Sequence, residues 1–292
     1  MTIRNLRSTC RCLCFFGFFV FGASFALAQG TYTQIDFPSA LMTQLNGINS
    51  AGLVVGSYED DAGGHGFLLQ NGAYTTIDYP GAQYSYAQGI NDNGQIVGLA
   101  NPLGYLYDMN TQSFTPIQYP GASYTYSVAI NNSGAVAGYF EKSNLRFQGF
   151  ELVDGDYTEP VLPGSTGTFV NGISSAGILV GYADIRNLYS NFLFDQDTFR
   201  TITIPGGTSP FVLGTNPQGT AVVGYYEAFS GIVGFVYQNR VLQTLSFPGS
   251  ITTVAAGINA KGEVVGYFID SSDVAHGFLW TASGAAEASQ PK

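Results

Sequence analysis

Six prolines, Pro38, Pro80, Pro120, Pro163, Pro205 and Pro248, stand 42, 40, 43, 42 and 43 residues apart. A second series keeps the same phase: Gly56, Gly98, Gly138, Gly181, Gly224 and Gly266 each close an apolar pair such as Val54-Val55, Ile96-Val97 or Val264-Val265. Two unrelated markers holding one register six times make Thr31 to Trp280 a tandem array with a period of about 42 residues. Such an array is not an ordinary single-core domain, because each unit covers its apolar faces only by stacking on its neighbours.

Inside one repeat the pattern is four short strands separated by turn residues. In the second copy these are Tyr74 to Tyr79 (YTTIDY), Tyr86 to Ile90, Gln95 to Ala100 and Gly104 to Tyr107 (GYLY). Asn91-Asp92-Asn93-Gly94 divides the middle pair, and the motif recurs at Asn49 to Gly52, Asn131 to Gly134, Asn216 to Gly219 and Asn259 to Gly262. Asn and Gly tolerate the left-handed backbone of a tight turn. Ser174 replaces the Asn in the fourth copy, so that turn is expected to be the least regular. No stretch carries a helical period.

Four antiparallel strands per repeat of this length are the period of a propeller blade. The coils of the rival fold, a parallel β-helix, are shorter and need fewer tight turns. The expected fold is therefore all-β, a six-bladed β-propeller built from six repeats of about 42 residues. The one connection long enough to cross between blades follows the first strand of each repeat, as in YPGAQYS. A blade then begins at the Gly-Ile-Asn strand and ends with the next repeat's Tyr-Thr-x-Ile-Asp strand. This leaves Thr31 to Phe37 without a blade, and it is expected to pair with Gly277 to Trp280, so that the N-terminal strand closes the ring and removes two exposed edges.

Residues 1–28 stand apart from the array. Arg4, Arg7 and Arg11 precede an apolar run of about 16 residues that ends Ala26-Leu27-Ala28, the pattern of a cleaved signal peptide. A membrane anchor, the competing reading, needs roughly 20 apolar residues. The expected organisation is a signal peptide over 1–28, the propeller over 29–280 and a disordered tail over 281–292, with secretion to the periplasm or the cell exterior. All three cysteines fall in the leader, so no disulfide can brace the rest. Without the leader arginines, seven basic residues face 20 acidic ones, a net charge of about −13. Nucleic acid and anionic membrane surfaces are poor partners on that balance, and no nucleic acid and no membrane span after cleavage are expected.

His65-Gly66-Phe67-Leu68 and His276-Gly277-Phe278-Leu279-Trp280, with Gly-Ile-Asn-x-x-Gly and Val-Val-Gly-Tyr, resemble the HAF-repeat extracellular proteins of bacteria. Gly stands here where that family has Ala, and Leu103, Gln148, Ser190 and Val233 replace the His in the other copies. The resemblance covers all six repeats. It implies an exported, propeller-like protein and brings no catalytic residues with it.

Candidate site residues come from symmetry. Three residues past the Val-Val-Gly glycine stand Glu59, Asn101, Glu141, Asp184 and Glu227, with Asp270 one step later in the last copy. They are expected either to accept backbone N–H bonds in their turns or to form an acidic ring at the axial mouth. Tyr84, Tyr86, Tyr124, Tyr126, Phe169 and Phe211 lie on the crossing loops beside them. Aromatic faces next to carboxylates suit the stacking and hydroxyl recognition of a sugar, although aromatics between blades also serve packing. The expected ligand-binding set is Glu59, Glu141, Asp184, Glu227, Asp270, Tyr84, Tyr124 and Phe169. His65 and His276, with Asp61 and Asp273, are the weak metal candidates. Two histidines are too few for Zn²⁺, and the oxygen donors suit Ca²⁺, the one cofactor that comes into question.

Catalytic patterns fare worse. There is no Gly-x-Ser-x-Gly elbow, no phosphate-binding loop, and no unique pair of acids among so many related by symmetry. The expected function is a monomeric binding or scaffolding module for extracellular glycan or protein. The alternatives are a polysaccharide hydrolase or lyase at the axial mouth, or a purely structural envelope protein. Unlike groups clustered on one side would mark a specific site, and the irregular hairpins Glu141 to Gln148 and Asp184 to Ser190, with Lys142, Arg146 and Arg186, are the first place expected to show it.

Overall fold

The structure, a computed structural model, describes residues 30–186 and 188–283. The leader over 1–28 and the tail beyond 283 lie outside them. The described residues form 24 strands and no helix, hence none long and apolar enough to cross a membrane. Strand β1 is Gly30–Ile35. The first unit comprises β2 (Met42–Ile48), β3 (Val54–Asp60), β4 (Gly63–Gln70) and β5 (Ala73–Ile77). The second comprises β6 (Tyr86–Ile90), β7 (Gln95–Ala100), β8 (Leu103–Asp108) and β9 (Ser113–Ile117). The third is β10 (Tyr124–Ile130), β11 (Val136–Glu141), β12 (Phe147–Val153) and β13 (Asp156–Thr158). The fourth is β14 (Gly167–Ile173), β15 (Leu179–Ile185), β16 (Leu188–Asp195) and β17 (Thr198–Thr201). Then come β18 (Thr208–Thr215), β19 (Ala221–Ala228), β20 (Gly231–Gln238) and β21 (Val241–Leu245). The last run is β22 (Thr252–Ile258), β23 (Val264–Ile269) and β24 (Ala275–Ala282).

Each of the first four units is a separate four-stranded antiparallel sheet whose strands follow chain order. The remaining strands share one sheet, because a single parallel bridge, Ile232 to Thr252, links β20 to β22. The expected offset between repeat and unit holds: each unit opens on the Gly-Ile strand and ends on the following Tyr-Thr strand. That last strand is shorter than expected and stops at Ile77, because the Tyr79 N–H turns to Ser85 Oγ (3.0 Å) and Pro80 has no N–H to offer.

Strand β1 pairs antiparallel with β24, from Gly30 opposite Ala282 to Ile35 opposite Gly277. Tyr32 packs edge-on against Phe247 and Phe278, and its hydroxyl accepts the Ser246 N–H (3.0 Å). Two residues past β1, Phe37 stacks on Tyr58 of the first unit at 3.6 Å. One eight-residue stretch thus holds the last unit and the first together, and β2 also touches β22, β23 and β24. Because Gly30 and Thr31 extend the ladder, β24 runs to Ala282, two residues past the boundary expected at Trp280.

Neighbouring sheets bury their alternate residues against each other. Val55, Leu68 and Ile77 of the first unit meet Ala87, Ile96 and Tyr105 of the second. Each such large side chain contributes about 1.5–3 kcal/mol on burial. The repeated Val-Val-Gly glycine is explained by a close approach: a Cβ on Gly98 would run into the Tyr86 carbonyl oxygen and come within 2.6 Å of the Tyr105 ring.

The Asn turns join the units. Asn91 is buried, and its Oδ1 accepts the N–H groups of Asn93 (3.1 Å) and Gln95 (2.9 Å) inside its own turn. Its Nδ2 reaches the next unit's Asn131 carbonyl (3.0 Å). Asn49 donates likewise to Asn91 (3.1 Å), Asn131 to Ser174 (3.0 Å), and Asn259 to Asn49 (3.0 Å) across 210 positions of sequence. Ser174 is the expected irregular member. Its Oγ still accepts the Ile178 N–H (3.0 Å), but the link onward passes to the Ser175 N–H and the Pro217 carbonyl (2.8 Å).

One regular feature was invisible in the sequence. Every inner strand of a unit carries a β-bulge before its Ile or at the matching point, so the ladder skips Asn46, Gln88, Val128, Asn171, Leu213 and Ala256. An unpaired bulged residue is re-aimed out of the pleat. All six line one cavity of about 330 Å³ between the inner strands.

Candidate functional site

The acid series shares a backbone role. The main-chain carbonyls of Glu59, Glu141 and Asp184 accept N–H bonds from Leu41 (2.7 Å), Ser123 (3.1 Å) and Thr166 (2.8 Å) in the crossing loops. At Glu227 the donor is the Thr208 hydroxyl (3.3 Å). The Asp270 side chain caps its turn, accepting from Ser272 (2.8 Å) and Val274 (3.0 Å), and those bonds hold its carboxyl below the usual range. Its counterpart in the first unit is Asp60, which accepts from Ala62 (2.7 Å) and Gly63 (3.2 Å). None of the five acids lines the axial cavity. The acids edge the face where the crossing loops enter, away from the Asn turns.

That face is not uniform. A groove of about 200 Å³ is walled by Tyr84, Tyr86, Tyr124 and Tyr126, with Leu99 and Pro102 among its apolar lining. Tyr84 and Tyr124 are 41% and 37% exposed. Tyr86 also borders a polar recess of about 240 Å³ that holds Glu59, Gln44 and Gln88. Burial raises the Tyr86 hydroxyl, as do the charge of Glu59 and then Tyr84. Tyr126 is raised in the same way by burial, Glu141 and Tyr124. Both hydroxyls therefore stay protonated and can donate. Two consecutive units so present the same Tyr-x-Tyr pair beside a glutamate, whereas the fourth and fifth have Phe169 and Phe211 at the position of the second Tyr.

Phe169 does not join the groove. It stacks on Tyr182 at 4.8 Å and meets Tyr139 edge-on at 5.2 Å, packed between units. It has no hydroxyl and is half-buried between aromatic rings on both sides. Asp184, Glu227 and Asp270 lie on later units, outside the groove lining. The crossing loops of the first three units differ from the later ones in this way; in the hairpin of Lys142 the ammonium pairs with Glu159 at 3.1 Å.

The histidines belong to a second pattern. His65 Nδ1 lies 2.7 Å from Asp78 Oδ2 and its Nε2 lies 3.3 Å from Asp60. His276 repeats the arrangement with Asp36 (3.0 Å) and Asp270 (3.5 Å). Asp61 and Asp273, the partners expected from sequence proximity, are exposed at the turn tips and touch neither imidazole. Among the described residues no group of three or more His, Cys, Asp or Glu is placed to hold a metal ion. The overlooked signal was Ile-Asp-Phe-Pro and Ile-Asp-Tyr-Pro, which place Asp36 and Asp78 one residue past the outer strands, facing the two His.

Burial is the largest influence on His65 and would lower its pKa, but the hydrogen bond and charge of Asp78, joined by Asp60, push it higher still, so the net shift is upward. A raised folded-state pKa gives stability that is complete below the unfolded value of about 6.5 and is lost as pH climbs through the folded one. His65→Gln should therefore be less stable than the parent by about 0.5–1 kcal/mol near pH 5.5 and equal to it near pH 8.5 in urea unfolding. A constant difference at both pH values would show that the imidazole acts by packing alone.

No protein-family model and no curated protein matches the sequence. Solved structures do. The β-propeller domain of the trilobed protease of Pyrococcus furiosus matches with a TM-score of 0.50 at 10% identity, covering 88% of this chain and 100% of that one. A mutant of AofleA from Arthrobotrys oligospora gives 0.52 at 13% identity, covering 87% and 88%. Aleuria aurantia lectin, solved with Fucα1-6GlcNAc, gives 0.51 at 12% identity, covering 86% and 95%. At such identities the likeness is one of fold. The chain is an all-β protein of the β-propeller class.

Proposed function

We propose that this chain is an exported six-bladed β-propeller of the HAF-repeat type that binds extracellular glycan. Six blades follow if β22, β23, β24 and β1 count as one and the strands from β18 to β21 as another, with β1 closing the ring. Export rests on the arginine-led apolar leader with its Ala-Leu-Ala end. The observation that carries the binding function is the tyrosine groove. Exposed rings of Tyr84 and Tyr124 offer flat faces for the C–H side of a sugar, while Tyr86 and Tyr126 hydroxyls beside Glu59 and Glu141 offer directed hydrogen bonds. Lectins are among the proteins built on this fold, and the acidic balance of the chain favours neutral over acidic polysaccharide.

A glycan array probed with the mature chain should yield neutral oligosaccharide ligands. Tyr84→Ala and Tyr124→Ala should each weaken binding about tenfold, the loss of one stacking platform. An array without signal would remove the proposal. Release of new reducing ends from a bound glycan would turn it toward the hydrolase alternative, with Glu59 and Glu141 as the carboxylates to replace.

A further inference from the structure

The cavity between the inner strands takes no part in the tyrosine groove, yet the two share walls. Leu99 lines both. Gln88 lines both the cavity and the Glu59 recess, and Tyr86 lines both the recess and the groove. The three concavities meet at one corner, where Tyr86 and Leu99 are cross-strand partners and Gln88 is the bulged residue two positions on.

The bulges decide what lines the axis. Asn46, Gln88 and Asn171 present amides, and Val128, Leu213 and Ala256 present apolar surface. Asn46 and Asn171 commit their Nδ2 groups to the carbonyls of Ala87 (2.9 Å) and Val212 (3.0 Å), which leaves their Oδ1 atoms as acceptors. The side chain of Gln88 makes no hydrogen bond among the described residues. Tyr139 and Tyr267 add hydroxyls in the same condition, and burial pushes that of Tyr139 up to about 12, so it remains a donor. The one carboxylate in the lining, Asp92, is occupied by Ser50 N (2.7 Å), Ser50 Oγ (2.9 Å) and Asn132 Nδ2 (2.7 Å). Uncharged donors and acceptors beside apolar patches fit the hydroxyls and C–H faces of a neutral sugar. They neither balance the charge of an ion nor suit a wholly apolar ligand. The volume is at the lower end of the range for small-molecule sites, which suits a chain end and not a polymer passing through.

We propose that the axial cavity is the end subsite of the glycan site: a chain lying along the Tyr84–Tyr124 groove turns its uncharged terminal sugar past Gln88 into the axis. This rests on the groove being a glycan platform, and the experiment separates the two. Calorimetry is run with hexasaccharides of glucose, xylose and N-acetylglucosamine, and with the galacturonate hexamer, on the mature chain and on Tyr84→Ala, Gln88→Leu and Ala256→Phe. Leucine already stands at the equivalent position as Leu213, so Gln88→Leu is a change the fold holds elsewhere, and thermal unfolding verifies that each variant is folded. At least one neutral hexamer should bind and galacturonate should not. Gln88→Leu, which removes a hydrogen bond, and Ala256→Phe, which fills the cavity, should each weaken binding about tenfold. Per sugar unit the intact polymer should compete less well than the hexamer, since its ends are dilute. Full binding by folded Gln88→Leu beside a tenfold loss in Tyr84→Ala overturns the end subsite and leaves the groove. Unchanged binding in all three variants, or no binding by any hexamer, overturns both.

Discussion

A chain lacking residues 30–37 should fail to unfold as one cooperative unit, and its last unit should melt far below the rest. The loss removes six ladder pairs with β24, the Tyr32 contacts to Phe247 and Phe278, and the Phe37 stack on Tyr58. Burial of Tyr32, Ile35 and Phe37 alone contributes on the order of 5 kcal/mol, comparable with the whole stability of many domains. An unpaired β24 would also present a free strand edge, so aggregation should accompany the melting. Calorimetry of the truncated chain measures the first effect and light scattering the second. A synthetic peptide of residues 30–38 added in trans should restore much of the transition. A truncated chain with the parent's single sharp melt would show that the β1 pairing contributes little.

Asn91→Ala should be the most damaging single substitution in the turns, at about 2–4 kcal/mol in urea unfolding. It leaves the Asn93 and Gln95 N–H groups and the Asn131 carbonyl without the side chain that satisfies them, at a buried position. Asn91→Ser should cost about half as much, because Ser174 shows that a hydroxyl can keep the bond within the turn while giving up the one between units. Equal losses in the two variants would place the whole effect in the link to the next unit and none inside the turn.

The repeat, the turns and the β1 partner were legible because they depend on local chemistry. An Asn-x-x-Gly turn needs a residue tolerant of left-handed backbone at a fixed place, and Gly52, Gly94 and Gly134 adopt φ of 83°, 79° and 89° there. Tyr84 and Tyr124 were legible as exposed aromatics, yet nothing in the sequence separated them from Phe169, which differs by what packs on either side. The bulged residues escaped notice because a bulge is a property of two strands in register, and Asn46, Leu213 and Ala256 share no chemistry that would flag them. The Asp36–His276 pair escaped for a related reason: its members are 240 positions apart and meet only through β1.

Gly30 and Ala282 face each other as the terminal pair of an antiparallel ladder. Joining them by a short glycine-containing linker would turn β24 and β1 into an ordinary hairpin like the one between β4 and β5. New ends could then be opened in the exposed turn at Asn71 and Gly72, between those two strands. The resulting circular permutant would tether by covalent connection the contact that the natural order leaves to a strand recruited from the far end of the chain. Closing the ring would then fall to β4 and β5, which become the two ends of the chain, so the permutant should keep the same set of pairings while the reliance on a recruited strand moves from the last unit to the first.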